Sequence, residues 1–160
     1  MPSQLPSVQL ITMTEKTFER WSARLIQDYA KDHVEAGNWT ETEALEKARE
    51  SVGNLLPAGV KTKDHYLYTV ADRATGQEVG VLWLGIRAEK TGFIYDLEIH
   101  EAFRRKGYAA AAMQTLEVEA KRLGAEKLSL HVFAHNDRAR ALYEKLGYET
   151  TDISMAKKLV

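Results

Sequence analysis

The chain has 160 residues, of which 44% are hydrophobic and 28% charged, and its formal net charge is −1. That balance describes a folded globular protein, and so neutral a total gives no field for nucleic acid or an anionic membrane. There is no cysteine, which excludes disulfides, thiolate-bound zinc and an acyl-cysteine intermediate.

The start, Met1-Pro2-Ser3-Gln4-Leu5-Pro6, lacks the basic-then-apolar order of a signal peptide. No apolar run approaches the ~18–20 residues of a membrane span. One domain over residues 1–160, in the cytoplasm, is the expectation.

Val8–Met13 reads as a first strand. Thr12 and Glu15 have capping-box spacing, and Phe18, Trp21, Leu25 and Tyr29 then recur at helical intervals, down to a break at Gly37-Asn38. Thr40 and Glu43 form a second box ahead of Ala44, Leu45, Ala48, Val52 and Leu55, and Leu56-Pro57-Ala58-Gly59 closes that helix. Strands follow at Tyr66–Asp72, at Glu78–Arg87 (apolar enough to be buried on both faces) and at Phe93–His100. A helix from about Gly107 carries Ala109, Met113, Leu116, Ala120 and Leu123 and stops at Gly124. Lys127–Phe133 is a strand, and Asn136-Asp137 caps a helix bearing Ala139, Leu142, Tyr143 and Leu146 that ends at Gly147. Tyr148–Asp152 and Ser154–Leu159 read as two closing strands. The order is β-α-α-β-β-β-α-β-α-β-β. It predicts an α/β fold whose mixed, mostly antiparallel sheet has locally parallel pairs at its strand–helix–strand passages.

Two stretches carry chemistry. The turn Arg104-Arg105-Lys106-Gly107-Tyr108-Ala109 places three cations and a glycine at a helix N-terminus, where unpaired N–H groups favour an anion, best a phosphate. It is neither a triphosphate loop nor a dinucleotide fingerprint, since their glycine spacing is absent. The second is His131–Asn136 followed by Ala139, Leu142, Tyr143 and Gly147.

Together, RxxGxA followed by NxxAxxLYxxxGY resembles the GNAT superfamily of acyl-CoA N-acyltransferases, over essentially the whole chain. Trp39 within AGNW, Leu55-Leu56-Pro57 and ARALYEKLGY look like a bacterial subgroup of uncharacterised GNAT proteins. The resemblance implies the GNAT fold, with its sheet splayed between the central strands, and an acetyl-CoA-dependent N-acetyltransferase. In it Arg104 opens the phosphate turn, and the amides of Arg105, Lys106, Gly107, Tyr108 and Ala109 hold the CoA pyrophosphate. Ile99 pairs its backbone with the pantetheine arm, Asn136 contacts that arm, and Tyr143 sits near the thioester sulfur. Arg105 stands where a glycine is frequent and Glu101 where a proline is frequent.

With no cysteine, direct attack by a primary amine in a ternary complex is preferred. Tyr143, with a reference pKa of ~10, is the expected acid for a thiolate near ~8.5. Asp96, Glu98 and His100 alternate along one strand face, opposite Tyr95, Leu97 and Ile99. They form a polar face, or supply Glu98 as a general base, a role that superfamily members often give to a carboxylate on this strand. His100-Glu101 does not extend to a zinc helix, and His131 and His135 have no evident carboxylate partner, so no metal is expected. By analogy with the superfamily, Tyr29, Asp32, His33, Glu35 and Trp39 lie on the acceptor side. The acceptor is a small-molecule or peptide amine, and a homodimer is common for such folds. The alternative is a non-catalytic acyl-CoA-binding regulator on the same fold.

Overall fold

Alternating and continuous apolar runs in the middle of the chain become a meander that the helices cover on both faces. The computed structural model describes residues 4–160. Its elements are β1 (Val8–Thr12), α1 (Glu15–Glu35), α2 (Glu41–Leu55), β2 (His65–Asp72), β3 (Glu78–Arg87), β4 (Thr91–Ile99), α3 (Tyr108–Arg122), β5 (Lys127–Leu130) and α4 (Asp137–Lys145). The strands lie in the order β1-β2-β3-β4-β5. The first three pairings are antiparallel, and α3 crosses over to make β4 and β5 parallel.

Each face of the sheet has its own core. Leu82, Leu84 and Ile94 meet Ala112, Met113 and Leu116 of α3 on one side. Leu67, Val81 and Trp83 meet Trp21 of α1 and Val52 of α2 on the other. The unbroken apolar run of β3 serves both layers, which is why it carries no alternation. Thr40 and Glu43 form the expected reciprocal capping box of α2. On α1 the cap is Thr14, whose side chain accepts from the Thr17 amide, rather than Thr12, which still belongs to β1.

Two irregularities of β4 position its side chains and open its end. Opposite β3, Trp83 pairs with Asp96 and Leu84 with Ile94, so Tyr95 is an extra residue in a β-bulge. The bulge turns Tyr95 toward the α1–α2 side, where it stacks on Trp83 with ring centroids 4.4 Å apart. Strict alternation had placed it with Leu97 and Ile99. In addition, β5 pairs with β4 only from Thr91 to Ile94. Beyond that point β4 runs on to Ile99 paired with β3 only, and a gap opens between the two parallel strands.

The sequence overstated the carboxyl-terminal strands. The fifth strand ends at Leu130, not Phe133, and Tyr148–Val160 contains no strand where a closing pair was expected. The alternation in those segments is real, but a strand needs an edge to bond to, and this segment lies free of one.

Candidate active site

The turn after β4 is shaped by two left-handed residues, Arg105 at φ 64° and Gly107 at φ 87°. Gly107 is the N-cap of α3, and no side chain caps that helix. The first helical bond runs from the Ala111 amide to the Gly107 carbonyl, so the amides of Tyr108, Ala109 and Ala110 stay open at the positive end of the helix dipole. Arg104 anchors the turn by donating from Nε to the Ile99 carbonyl at 2.9 Å. Tyr108 turns its ring away and donates its hydroxyl to Asp72, whose carboxylate also accepts from the Ala74 and Thr75 amides. These bonds, the Tyr108 hydroxyl foremost, hold the Asp72 carboxyl below its ordinary range. Of the predicted phosphate-turn residues, Arg105 and Lys106 are exposed, while Gly107, Tyr108 and Ala109 are half-buried.

Ile99 lies at the free end of β4. The His100 amide donates to the Val79 carbonyl at 2.8 Å, and alternation along the strand then directs the Ile99 amide and carbonyl away from β3, toward the gap. Arg104 occupies the carbonyl, and the amide faces the gap.

On the α1 side, Asp96, Glu98 and His100 share a face as expected. Trp21 of α1, only 2% exposed, donates from Nε1 to the Asp96 carboxylate at 2.9 Å. Burial pushes the Asp96 carboxyl up to about 7, and Glu98 and Asp28 add to this, while the Trp21 bond and Arg24 oppose it. Glu98 lies 3.5 Å from Arg24 Nε, a buried atom without a hydrogen-bond partner. His100 faces Glu78 at 3.1 Å. Arg20 also pairs with Glu78, at 3.3 Å, so Asp28, Glu78, Asp96 and Glu98 gather on this face with two arginines.

Tyr143 of α4 is half-buried and packs against the α3-side core. Burial, reinforced by the nearby Asp96 charge, pushes its hydroxyl up to about 12. Desolvation thus keeps the phenol neutral. Sequence reasoning named Asp96 but preferred Glu98, and read Trp21 only as core. The missing signal was the bulge, which brings Asp96 opposite Trp83 and under Trp21. Because the Trp21 bond favours the charged carboxylate, Trp21→Phe is expected to move the acidic limb of any Asp96-dependent pH–rate profile to higher pH. An unshifted limb would remove Trp21 from that role.

Asn136 is the N-cap of α4, its Oδ1 accepting from the Ala139 amide at 3.2 Å. The residues expected on the acceptor side do come together. His33 stacks on Trp39 at 3.9 Å, with Tyr29 and Phe133 edge-on to His33. His135 does have carboxylate partners, Asp32 at 3.3 Å and Glu35 at 3.6 Å. They escaped the sequence reading because they lie on α1, about a hundred residues away.

The model of the Acetyltransferase (GNAT) family matches residues 22–148. An uncharacterized N-acetyltransferase of Bacillus subtilis, YdgE, is 43% identical over 150 residues, covering 92% of this chain and 95% of its own. A second from the same organism, YycN, is 37% identical over 158 residues, covering 96% and 99%. The crystal structure of YycN superposes with a TM-score of 0.91 over 96% of this chain and 99% of its own. At 13% identity, an aminoglycoside N-acetyltransferase in complex with CoA shares the fold with a TM-score of 0.61, over 99% of this chain and 98% of its own. The cradle before α3, the splayed β4–β5 pair and these relatives agree, and the chain belongs to the GNAT family of acetyltransferases.

Proposed function

We propose that the chain transfers an acetyl group from acetyl-CoA to a primary amine by direct attack within a ternary complex. The observation that carries this reading is the set of open amides before α3 beside the gap where β4 and β5 part. The amides from Arg105 to Ala109 bind the pyrophosphate. The free amide of Ile99 pairs with the pantetheine, and Asn136 contacts it from the start of α4.

The chemistry requires an ammonium to lose a proton, its nitrogen to bond to the thioester carbon, and the C–S bond to break. Two carboxylates can take the proton. Glu98 has the right face but is paired with Arg24. Asp96 titrates at about 7, where a base is both available and strong enough to act near neutral pH. Asp96 is therefore the better-matched base, directly or through a water. The surrounding negative charge favours a cationic acceptor arriving from the side of Tyr29, Asp32, His33, Glu35 and Trp39.

Tyr143 acts as a hydrogen-bond donor to the departing sulfur. A phenol pushed up to about 12 opposes full transfer to a thiolate near ~8.5 by roughly 5 kcal/mol. Its contribution is that of a hydrogen bond to a charged group, ~1.5–3 kcal/mol. Tyr143→Phe is accordingly expected to lower kcat by about 10- to 100-fold with little change in KM for acetyl-CoA. Initial-rate kinetics with a reactive amine check this, and unaltered turnover would give the proton to water or another group.

A further inference from the structure

Nothing in α3 fixes its own first turn. Gly107 brings no side chain to cap it, and an uncapped helix start frays because its first amides have no partner. A cradle for an anion needs those amides open and yet held in place. A capping side chain would hold them only by occupying them.

The hold comes from outside the helix. Tyr108, the first residue of α3, donates its hydroxyl to Oδ2 of Asp72. Asp72 is the last residue of β2 and only 9% exposed. Its two carboxylate oxygens have separate partners. Oδ1 accepts from the amides of Ala74 and Thr75 at 2.8 and 3.0 Å, which shapes the turn between β2 and β3. Oδ2 goes to Tyr108. The β2–β3 turn does not need that second oxygen, since backbone bonds already close it. The Asp72 amide donates to the Gln77 carbonyl and the Gly76 amide to the Asp72 carbonyl, both at 2.8 Å. The Tyr108 bond therefore serves α3. At the other end of the same loop Arg104 is tied to the Ile99 carbonyl. The left-handed residues Arg105 and Gly107 lie between these two anchors.

We propose that Asp72 is a positioning residue for CoA: through the Tyr108 hydroxyl it pins the uncapped start of α3 to β2, and so aims the amides of Tyr108, Ala109 and Ala110 at the pyrophosphate. The role rests on the turn before α3 being the pyrophosphate cradle. Asp72 lies 36 residues before Tyr108, outside both stretches that carry the family resemblance, where the sequence alone assigns it to a turn.

Ligands with and without the pyrophosphate separate positioning from plain stability. Tyr108→Phe keeps the ring that meets Phe103 edge-on and loses only the hydroxyl. It is expected to weaken CoA in calorimetric titration by about tenfold, the scale of one hydrogen bond to a charged group. The preference in kcat/KM for acetyl-CoA over S-acetylpantetheine, which has no pyrophosphate, is expected to fall by a similar factor. A loss of stability alone moves both donors together and leaves that preference as it was. Asp72→Asn keeps an oxygen for the Ala74 and Thr75 amides. It is expected to weaken CoA in the parent but not in Tyr108→Phe, because the two groups act as one. A preference unchanged by Tyr108→Phe would overturn the pin. So would an Asp72→Asn effect that is equal in both backgrounds or absent from both. A parent that binds CoA no more tightly than pantetheine would overturn the cradle itself, and the pin with it.

Discussion

Asp96→Asn is expected to lower kcat with a reactive amine by about 100-fold or more at pH 8, and to remove the limb of the pH–rate profile that rises near 7. Asparagine keeps the shape and still accepts from Trp21, so the change isolates the charge. Glu98→Gln provides the contrast. If Asp96 is the base, removing the Glu98 charge lowers the Asp96 pKa, because that charge helps to raise it, and the limb moves to lower pH without disappearing. If Glu98 is the base, the limb vanishes in Glu98→Gln and survives in Asp96→Asn.

The same carboxyl makes a statement about stability. Its value rises from 3.8 to about 7 on folding, so between those values the native state holds a proton that the unfolded chain has released. Stability from this group is therefore present in acid, falls as pH rises through that window, and stays lost above it. Asp96→Asn escapes the loss. Relative to the parent it is expected to gain stability between pH 5 and pH 8, by at most roughly 4 kcal/mol over the whole window. Urea denaturation at the two pH values measures this, and a gap that does not widen with pH would mean that the carboxyl is not desolvated. A variant that is more stable and less active is what a functional, destabilising, partly buried acid predicts.

Gly107→Val is expected to weaken CoA binding by about tenfold or more. At φ 87° a β-branched residue is strained by about 1–3 kcal/mol. A Cβ at this position also lies 3.1 Å from Leu5 Cδ2 and 3.2 Å from Pro6 Cδ, so the valine methyls crowd the amino-terminal segment over the turn. The backbone relaxes by turning the α3 amides away from their common target. Calorimetric titration with CoA measures the loss, and an unchanged affinity would remove the phosphate cradle from this turn. Gly107→Ala carries less bulk and should fall between.

The fold was legible where local chemistry is sufficient. The Thr40–Glu43 box, the β3 run and the Asn136 cap each determine an element with little help from elsewhere. The two motifs that carry the family resemblance were legible because they are short and contiguous. What the sequence hid depends on partners distant along the chain. The Tyr95 bulge is a property of the β3–β4 register. The importance of Asp96 depends on Trp21, 75 residues before it. The acidic partners of His135 lie on α1. The closing strands failed for a related reason: Ile153, Met155 and Leu159 have strand periodicity, but periodicity does not supply an edge to bond to.

Acetyl transfer at the gap beyond Ile94 is tested most directly by CoA thiol release from acetyl-CoA, measured with the purified chain across a panel of primary amines. The predicted result is release that depends on an added amine, follows intersecting rather than parallel initial-rate lines, and drops in Asp96→Asn and Tyr143→Phe. Acetyl-CoA that binds and raises the melting temperature, yet yields no amine-dependent thiol with any acceptor, would contradict transfer and leave a binding protein on this fold.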